Sequence, residues 1–216
     1  MSTVRGPGAA HDERRREVLE AVFTIVDTEG TDHVSIRRVA DTAGVSVGRV
    51  QHYFPTKEEL LSAAFTAIND RGTARVHQRL PMGEGEEDAG DPRTVLQVVL
   101  GELIPRDDDD RRFFRIAQAF ETYAQSRPHL RSRLTQGYDE LASLLALLLR
   151  LSVRPHAGDE PESDSSPFRT EAYGLLALTI GLAGLVVTEN LGSFEAQSIV
   201  STRLDETLGT LRANGS

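Results

Sequence analysis

The sequence predicts an all-α protein of about nine helices, and three observations carry that prediction. Apolar residues recur at three- and four-residue steps through almost every patterned segment, while no stretch of any length alternates with period two. Stretches rich in Gly, Pro and acid cut the chain into helix-sized pieces. Near the N-terminus, two short apolar-faced segments flank a glycine, the layout of a helix-turn-helix. With 216 residues the chain can bury a real core in one or two domains.

Met1 to His11 has no periodicity, and residues 1–11 are expected to be a disordered tail. Asp12 is positioned to cap a first helix with Val18, Ala21, Val22, Ile25 and Val26 inward, ending at Gly30. Ser35 to Thr42 reads as a short helix with Ile36, Val39 and Ala40 inward, stopped by Gly44. Ser46 caps a second one, Val47 to Phe54, with Val50 and Phe54 inward. A fourth helix starts near Thr56, with Leu60, Leu61, Ala64 and Ile68 inward, and runs past Arg75. Pro81 to Pro92 reads as a flexible loop. Arg93 to Ile104 is a helix ended by Pro105. The acid run Asp107 to Asp110 sits where the first turn of the next helix wants negative charge, which is a better account than a metal site. That helix reaches about Ser126, and Pro128 opens another rich in leucine. A second loop covers Val153 to Pro167. Phe168 to about Asn190 is apolar all round, so burial on more than one side is expected. Ser193 to Leu211 closes the chain, with Ile199, Val200, Leu204, Leu208 and Leu211 as its stripe.

The segment from Val39-Ala40 through Ala43-Gly44-Val45-Ser46 and Gly48 to Tyr53-Phe54-Pro55-Thr56-Lys57-Glu58-Glu59-Leu60-Leu61 resembles the DNA-binding domain of the tetracycline-repressor (TetR) family. The likeness covers about Glu13 to Phe65. One position departs from the pattern, because Gln51 stands where the family often has Tyr. The resemblance implies a helix-turn-helix DNA-binding domain over residues 12–57, followed over 58–216 by a helical-bundle domain for ligand binding and dimerisation. It also implies residue roles. Arg49 can fork onto a guanine, Gln51 can read adenine, Val47 and Gly48 let the helix approach the groove, and Arg37 can reach a base edge. Ser35, His52, Tyr53 and Lys57 match positions that touch the DNA backbone.

Charge agrees with that division. Residues 1–57 hold 8 Lys+Arg and 8 Asp+Glu, so the whole net charge of −9 lies in the remainder. A neutral headpiece with grouped arginines can meet phosphates while an acidic body does not. Of the basic residues only Lys57 is lysine. Cysteine is absent, which excludes disulfides and thiolate metal sites and suits a cytoplasmic protein. No apolar leader segment is apparent, and the longest apolar run, Ala172 to Val187, falls short of the ~20 residues of a membrane span.

The six histidines are scattered and no nucleophile, phosphate-loop or dinucleotide motif occurs, so no catalytic residue, metal or cofactor is expected. In the body a few polar groups sit in apolar stripes, as a small-molecule pocket requires. Phe114, Gln118, Glu121, Tyr138 and Thr179 are the candidate ligand residues, with Tyr123 beside them. Gly174, Ala177, Gly181 and Gly184 form a small-residue strip on the all-apolar helix. With Leu204 and Leu208 on the last helix, Gly181 and Gly184 are the expected homodimer contacts. The expected function is a homodimeric regulator that binds a palindromic duplex operator as a repressor and is released by a small effector. The alternative is a regulator of the same fold answering to a partner protein or to no ligand, and an enzyme comes last.

Overall fold

The computed structural model describes residues 7–79, 90–153 and 167–214. These form nine α-helices: α1 Pro7–Glu29, α2 Ile36–Ala43, α3 Val47–Tyr53, α4 Lys57–Arg79, α5 Pro92–Glu102, α6 Asp108–Gln125, α7 Pro128–Val153, α8 Pro167–Val187 and α9 Ser193–Asn214. A 3-10 turn, Thr31–His33, joins α1 to α2, and no strand occurs among the described residues. The all-α expectation stands. The two expected loops lie largely outside the described residues.

One boundary needs correction. Helix α1 starts at Pro7, not Asp12. Proline tolerates the first helical turn because it has no N–H to satisfy there, and Ala9 and Ala10 are strong helix formers. Residues 7–11 are therefore helix, not tail. The same use of proline opens α5, α7 and α8.

The chain divides into two compact units. The first holds residues through Gly72 together with Arg115–Arg131. Its buried side chains include Val22, Phe23 and Ile25 of α1, Val39 and Ala40 of α2, Val50 of α3, Leu60, Leu61 and Phe65 of α4, and Phe120 and Ala124 of α6. Phe120 meets Phe23 edge-on, 6.2 Å between ring centres, and the Arg71 guanidinium covers the Phe23 ring while pairing with Glu20. Arg115 Nε donates to Asp27 at 2.9 Å. The second unit holds Thr73–Phe114 and Ser132–Ser216. Leu96, Val99, Leu100 and Ile104 pack there with Leu145 and Leu149 of α7, Leu175, Leu182 and Val186 of α8, and Val200, Leu204 and Leu208 of α9. The units do not break at residue 57. Helices α4, α6 and α7 each contribute residues to both.

A buried ion cluster ties the α5–α6 corner of the second unit to the end of α4. Arg106 donates to Glu102 at 2.7 and 3.3 Å and, through Nε, to Asp110 at 2.9 Å. Arg75 pairs with the same Asp110 and lies over the Phe113 ring, and Arg79 stands 3.7 Å from Glu102. Glu102 and Asp110 are buried. Burial pushes the Asp110 carboxyl up. Hydrogen bonds from Arg106 and Arg75 outweigh that and hold it below the usual carboxylate range. The acid run thus serves two ends. Asp107 accepts the Asp110 N–H at 2.8 Å at the start of α6, and Asp110 turns inward. Among the described residues no group of His, Cys, Asp and Glu is arranged to hold a metal ion.

Because the folded carboxyl is depressed, its contribution to stability is present above the unfolded value and is lost as pH falls through the folded one. Asp110→Asn is expected to cost about 2–3 kcal/mol in urea denaturation at pH 7, since two arginines lose an ionic partner. The deficit should shrink as the pH falls below about 4, the ordinary aspartate range.

Candidate nucleic-acid interface

The helix-turn-helix is assembled by caps. Ser35 is extended, and its Oγ accepts the Arg38 N–H at 3.2 Å to start α2. Gly44 ends α2 at φ 64 and ψ 32, and its N–H bonds back to Ala40 and Asp41. That left-handed conformation favours glycine. Ser46 Oγ then accepts the Arg49 N–H at 3.2 Å and starts α3. Val50 and Phe54 are buried, which fixes the rotation of α3. Thr56 caps α4, accepting the Glu59 N–H and donating to the Glu59 carboxylate, both at 3.1 Å.

This rotation turns Val47, Gly48, Arg49, Gln51 and His52 outward. Val47 is 40 % exposed, and nothing lies within 4 Å of where a Gly48 Cβ would stand. Ser35 and Arg37 are exposed as well. Among the described residues neither Arg37 nor Arg49 makes an ion pair, whereas Arg38 pairs with Glu29. Two candidates have structural partners. Lys57 Nζ donates to the Asp32 carbonyl at 3.2 Å, tying α4 to the 3-10 turn. Tyr53 is half-buried among the rings of His11, His52 and Phe54. His11 is the residue that sequence reasoning missed here, because it was placed in the tail.

The ligand candidates do not all belong to one unit. Gln118 is exposed and Glu121 half-buried, both in the first. Phe114 and Tyr138 pack half-buried against the apolar core of the second. Thr179 is fully buried, and its hydroxyl donates to the Leu175 carbonyl at 2.7 Å, so it is satisfied within α8. Tyr123 is buried in the first unit under the Arg127 guanidinium, and burial raises its phenol.

The dimer candidates separate too. Leu204 and Leu208 belong to the core of their own chain, packed with α8, and are unavailable to a second copy. Gly181 is exposed and Gly184 half-exposed. Helix α8 is long and apolar enough to cross a membrane by length and composition, contrary to the estimate from its apolar run alone, yet only 39 % of its most apolar window is buried in the chain. Its outward ridge is Tyr173, Ala177, Gly181 and Leu185. On α9, Phe194 is 86 % exposed and Ile199, expected in the inward stripe, 37 %.

The sequence model for bacterial regulatory proteins of the tetR family matches residues 18–76, the whole of this helix-turn-helix. The model for the C-terminal part of BetI-type transcriptional repressors matches residues 92–209, more than half of the chain. The chain belongs to the TetR family. Within it, the regulator BetI 1 of Chromohalobacter salexigens is 30 % identical over 200 residues, 90 % of each chain. The fold recurs in a transcriptional regulator from Rhodococcus sp. Rha1, with a TM-score of 0.74 and 24 % identity over 91 % of this chain and 96 % of that one. It recurs again in a regulator from Saccharomonospora viridis crystallised with choline, with a TM-score of 0.72 and 21 % identity over 92 % and 96 %. As in other TetR-family regulators, a helix-turn-helix precedes a helical body, and the protein is a transcriptional regulator.

Since nothing crowds a Cβ at Gly44, substitution there costs backbone strain alone. Gly44→Ala is expected to lose about 1–2 kcal/mol in thermal or urea unfolding, and Gly44→Asn less, because Asn accepts the left-handed conformation more readily.

Proposed function

We propose that the protein is a homodimeric repressor that binds a two-fold symmetric operator through α3 and is released by a small organic effector. The observation that carries this reading is the outward face of α3, where an arginine without an ion pair stands beside a bare glycine and an exposed valine on a capped, rotationally fixed helix. Arg49 pairs with a guanine, Gln51 reads the neighbouring base, and Val47 and Gly48 admit the helix to the groove floor. Arg37 reaches a base edge from α2. Ser35, His52, Tyr53 and Lys57 hold the DNA backbone, Lys57 with the ammonium protons left by Asp32. Functionally the operator-binding part ends near residue 57, and the remainder serves dimerisation and the effector. The protein is not an enzyme and works in the cytoplasm, where its DNA is.

The dimer forms on the outward ridge of α8, Tyr173, Ala177, Gly181 and Leu185, with Gly184 beside it and Phe194 and Ile199 of α9 at its edge. A second copy covers this apolar face and turns α8 from half-buried to buried, as its composition requires. Phe114 and Tyr138, both in the second unit, are the residues retained for the effector. A neighbour in fold crystallised with choline supports an effector of small organic type. Helices α4, α6 and α7 continue from one compact unit into the other, so a ligand that reorients them in the body changes the headpiece. A 100-fold preference for the released form supplies about 2.7 kcal/mol of coupling per site.

Arg49→Ala should weaken binding to a selected duplex by about 1–3 kcal/mol and relax preference at one base position, read by fluorescence anisotropy. Unchanged affinity and preference would contradict the placement of α3. In sedimentation at micromolar concentration the wild type should be a dimer and Leu185→Glu or Gly181→Arg a folded monomer with little DNA affinity. A monomeric wild type would remove the dimer. For release, a metabolite found by thermal shift should lower duplex affinity when titrated into the complex. If it binds tightly and the affinity does not move, the regulator answers to something else.

A further inference from the structure

Helix α1 starts early enough to bring His11 to the end of α3. There its ring meets Tyr53 edge-on at 4.8 Å and His52 at 6.4 Å between centres, while His52 and Tyr53 stand 5.4 Å apart. The His11 side chain is 53 % exposed, and His52 is exposed one turn along α3 from Arg49. Ring-on-ring contact holds an imidazole in place without using its nitrogens; at His11, among the described residues, only Nδ1 has a charged neighbour, Asp12, and an imidazolium offers two N–H donors. Two imidazoles are thus fixed beside the positions assigned to backbone contact.

The charged groups that face or adjoin them are few. Asp12 has a carboxylate oxygen 3.6 Å from His11 Nδ1. Arg15 covers the Phe54 ring at 5.1 Å. Arg49 precedes His52 on α3, Lys57 is tied to the Asp32 carbonyl, and Glu58 and Glu59 open α4. His33 is engaged elsewhere, with Nδ1 2.7 Å from the Glu29 carbonyl.

We propose that His11 and His52 dock on operator phosphates as imidazolium ions, so that DNA binding takes up protons and tightens as pH falls. A neutral ring takes up one proton from solvent and keeps it, and the imidazolium N–H donates a hydrogen bond to a phosphate oxygen. The bound state then holds more protons than the free state, so affinity rises with acidity, by about tenfold per pH unit for each proton taken up. This rests on the reading that α3 faces the operator.

The test is anisotropy of a labelled duplex, selected by the full-length protein from a random-sequence pool at pH 7, measured at pH 6, 7 and 8 and constant salt. The wild type should gain at least about tenfold from pH 8 to pH 6, an uptake of half a proton or more. The double variant His11→Asn with His52→Asn should lose most of that gain. The double variant His11→Lys with His52→Lys carries fixed cations, so it should bind more tightly than wild type at pH 8 with a flat profile. A purely structural role would weaken both variants at every pH and leave the slope. Binding by the wild type with no slope, or a slope that survives in the Asn variant, overturns this proposal alone. Failure to select any duplex overturns the operator reading and this proposal with it.

Discussion

A helix of seven residues does not hold together alone in water. Isolated helices need on the order of 12–15 residues before they are even marginal, and α3 has 7. It persists because Ser46 caps its start, Phe54 closes its end, and Val50 and Phe54 are buried in the first unit, with α2 packed on α3 and Arg15 of α1 over the Phe54 ring. That burial decides which side chains face out. Were α3 rotated by one residue, Val50 would meet solvent and Arg49 the core. The rest of the headpiece follows from the need to supply that burial. Gly44 turns the chain sharply enough for α2 and α3 to pack, and the Arg38–Glu29 and Lys57–Asp32 contacts fasten the α1–α2 connection at both sides.

The first unit also extends beyond the headpiece sequence. Phe120 on Phe23 and Arg115 on Asp27 make the second half of α6 part of the first compact unit. The first half of α6 carries Asp110, which is clamped with Arg75 of α4 in the second. One helix therefore has its two ends anchored in different units by different chemistry, apolar rings at one end and buried charge at the other. Helix α4 has the same double membership.

Helix positions were legible in the sequence because an apolar stripe with a cap at one end and a glycine or proline at the other leaves little choice. The helix-turn-helix was legible to within a residue at each end, since Ser35, Gly44, Ser46 and Thr56 each cap or stop a helix locally. What a stripe does not say is what covers it. Leu204 and Leu208 had the pattern of an interface and turned out to be core, while Tyr173, Ala177, Gly181 and Leu185 carry the uncovered face of α8. Thr179 interrupts an apolar run only in sequence, for its hydroxyl is absorbed by the preceding turn. The start of α1 was missed because Gly6, Pro7 and Gly8 read as a break, when Pro7 in fact begins the helix. The ion cluster was hidden for another reason. Glu102, Arg106 and Asp110 stand at four-residue steps that signal pairing, but their burial depends on Arg75 and Arg79, far off in the chain.

The central claim is that the outward face of α3 meets DNA while the packing behind it stays intact. Residue-resolved amide NMR of the protein, with and without a selected duplex, tests it directly. Shifts should concentrate between Ser35 and Lys57, strongest at Gly48, Arg49, Gln51 and His52, with the amides of Val22, Val39 and Val50 retaining their protection from exchange. Shifts centred on α7, α8 or α9 with α3 silent would contradict the account.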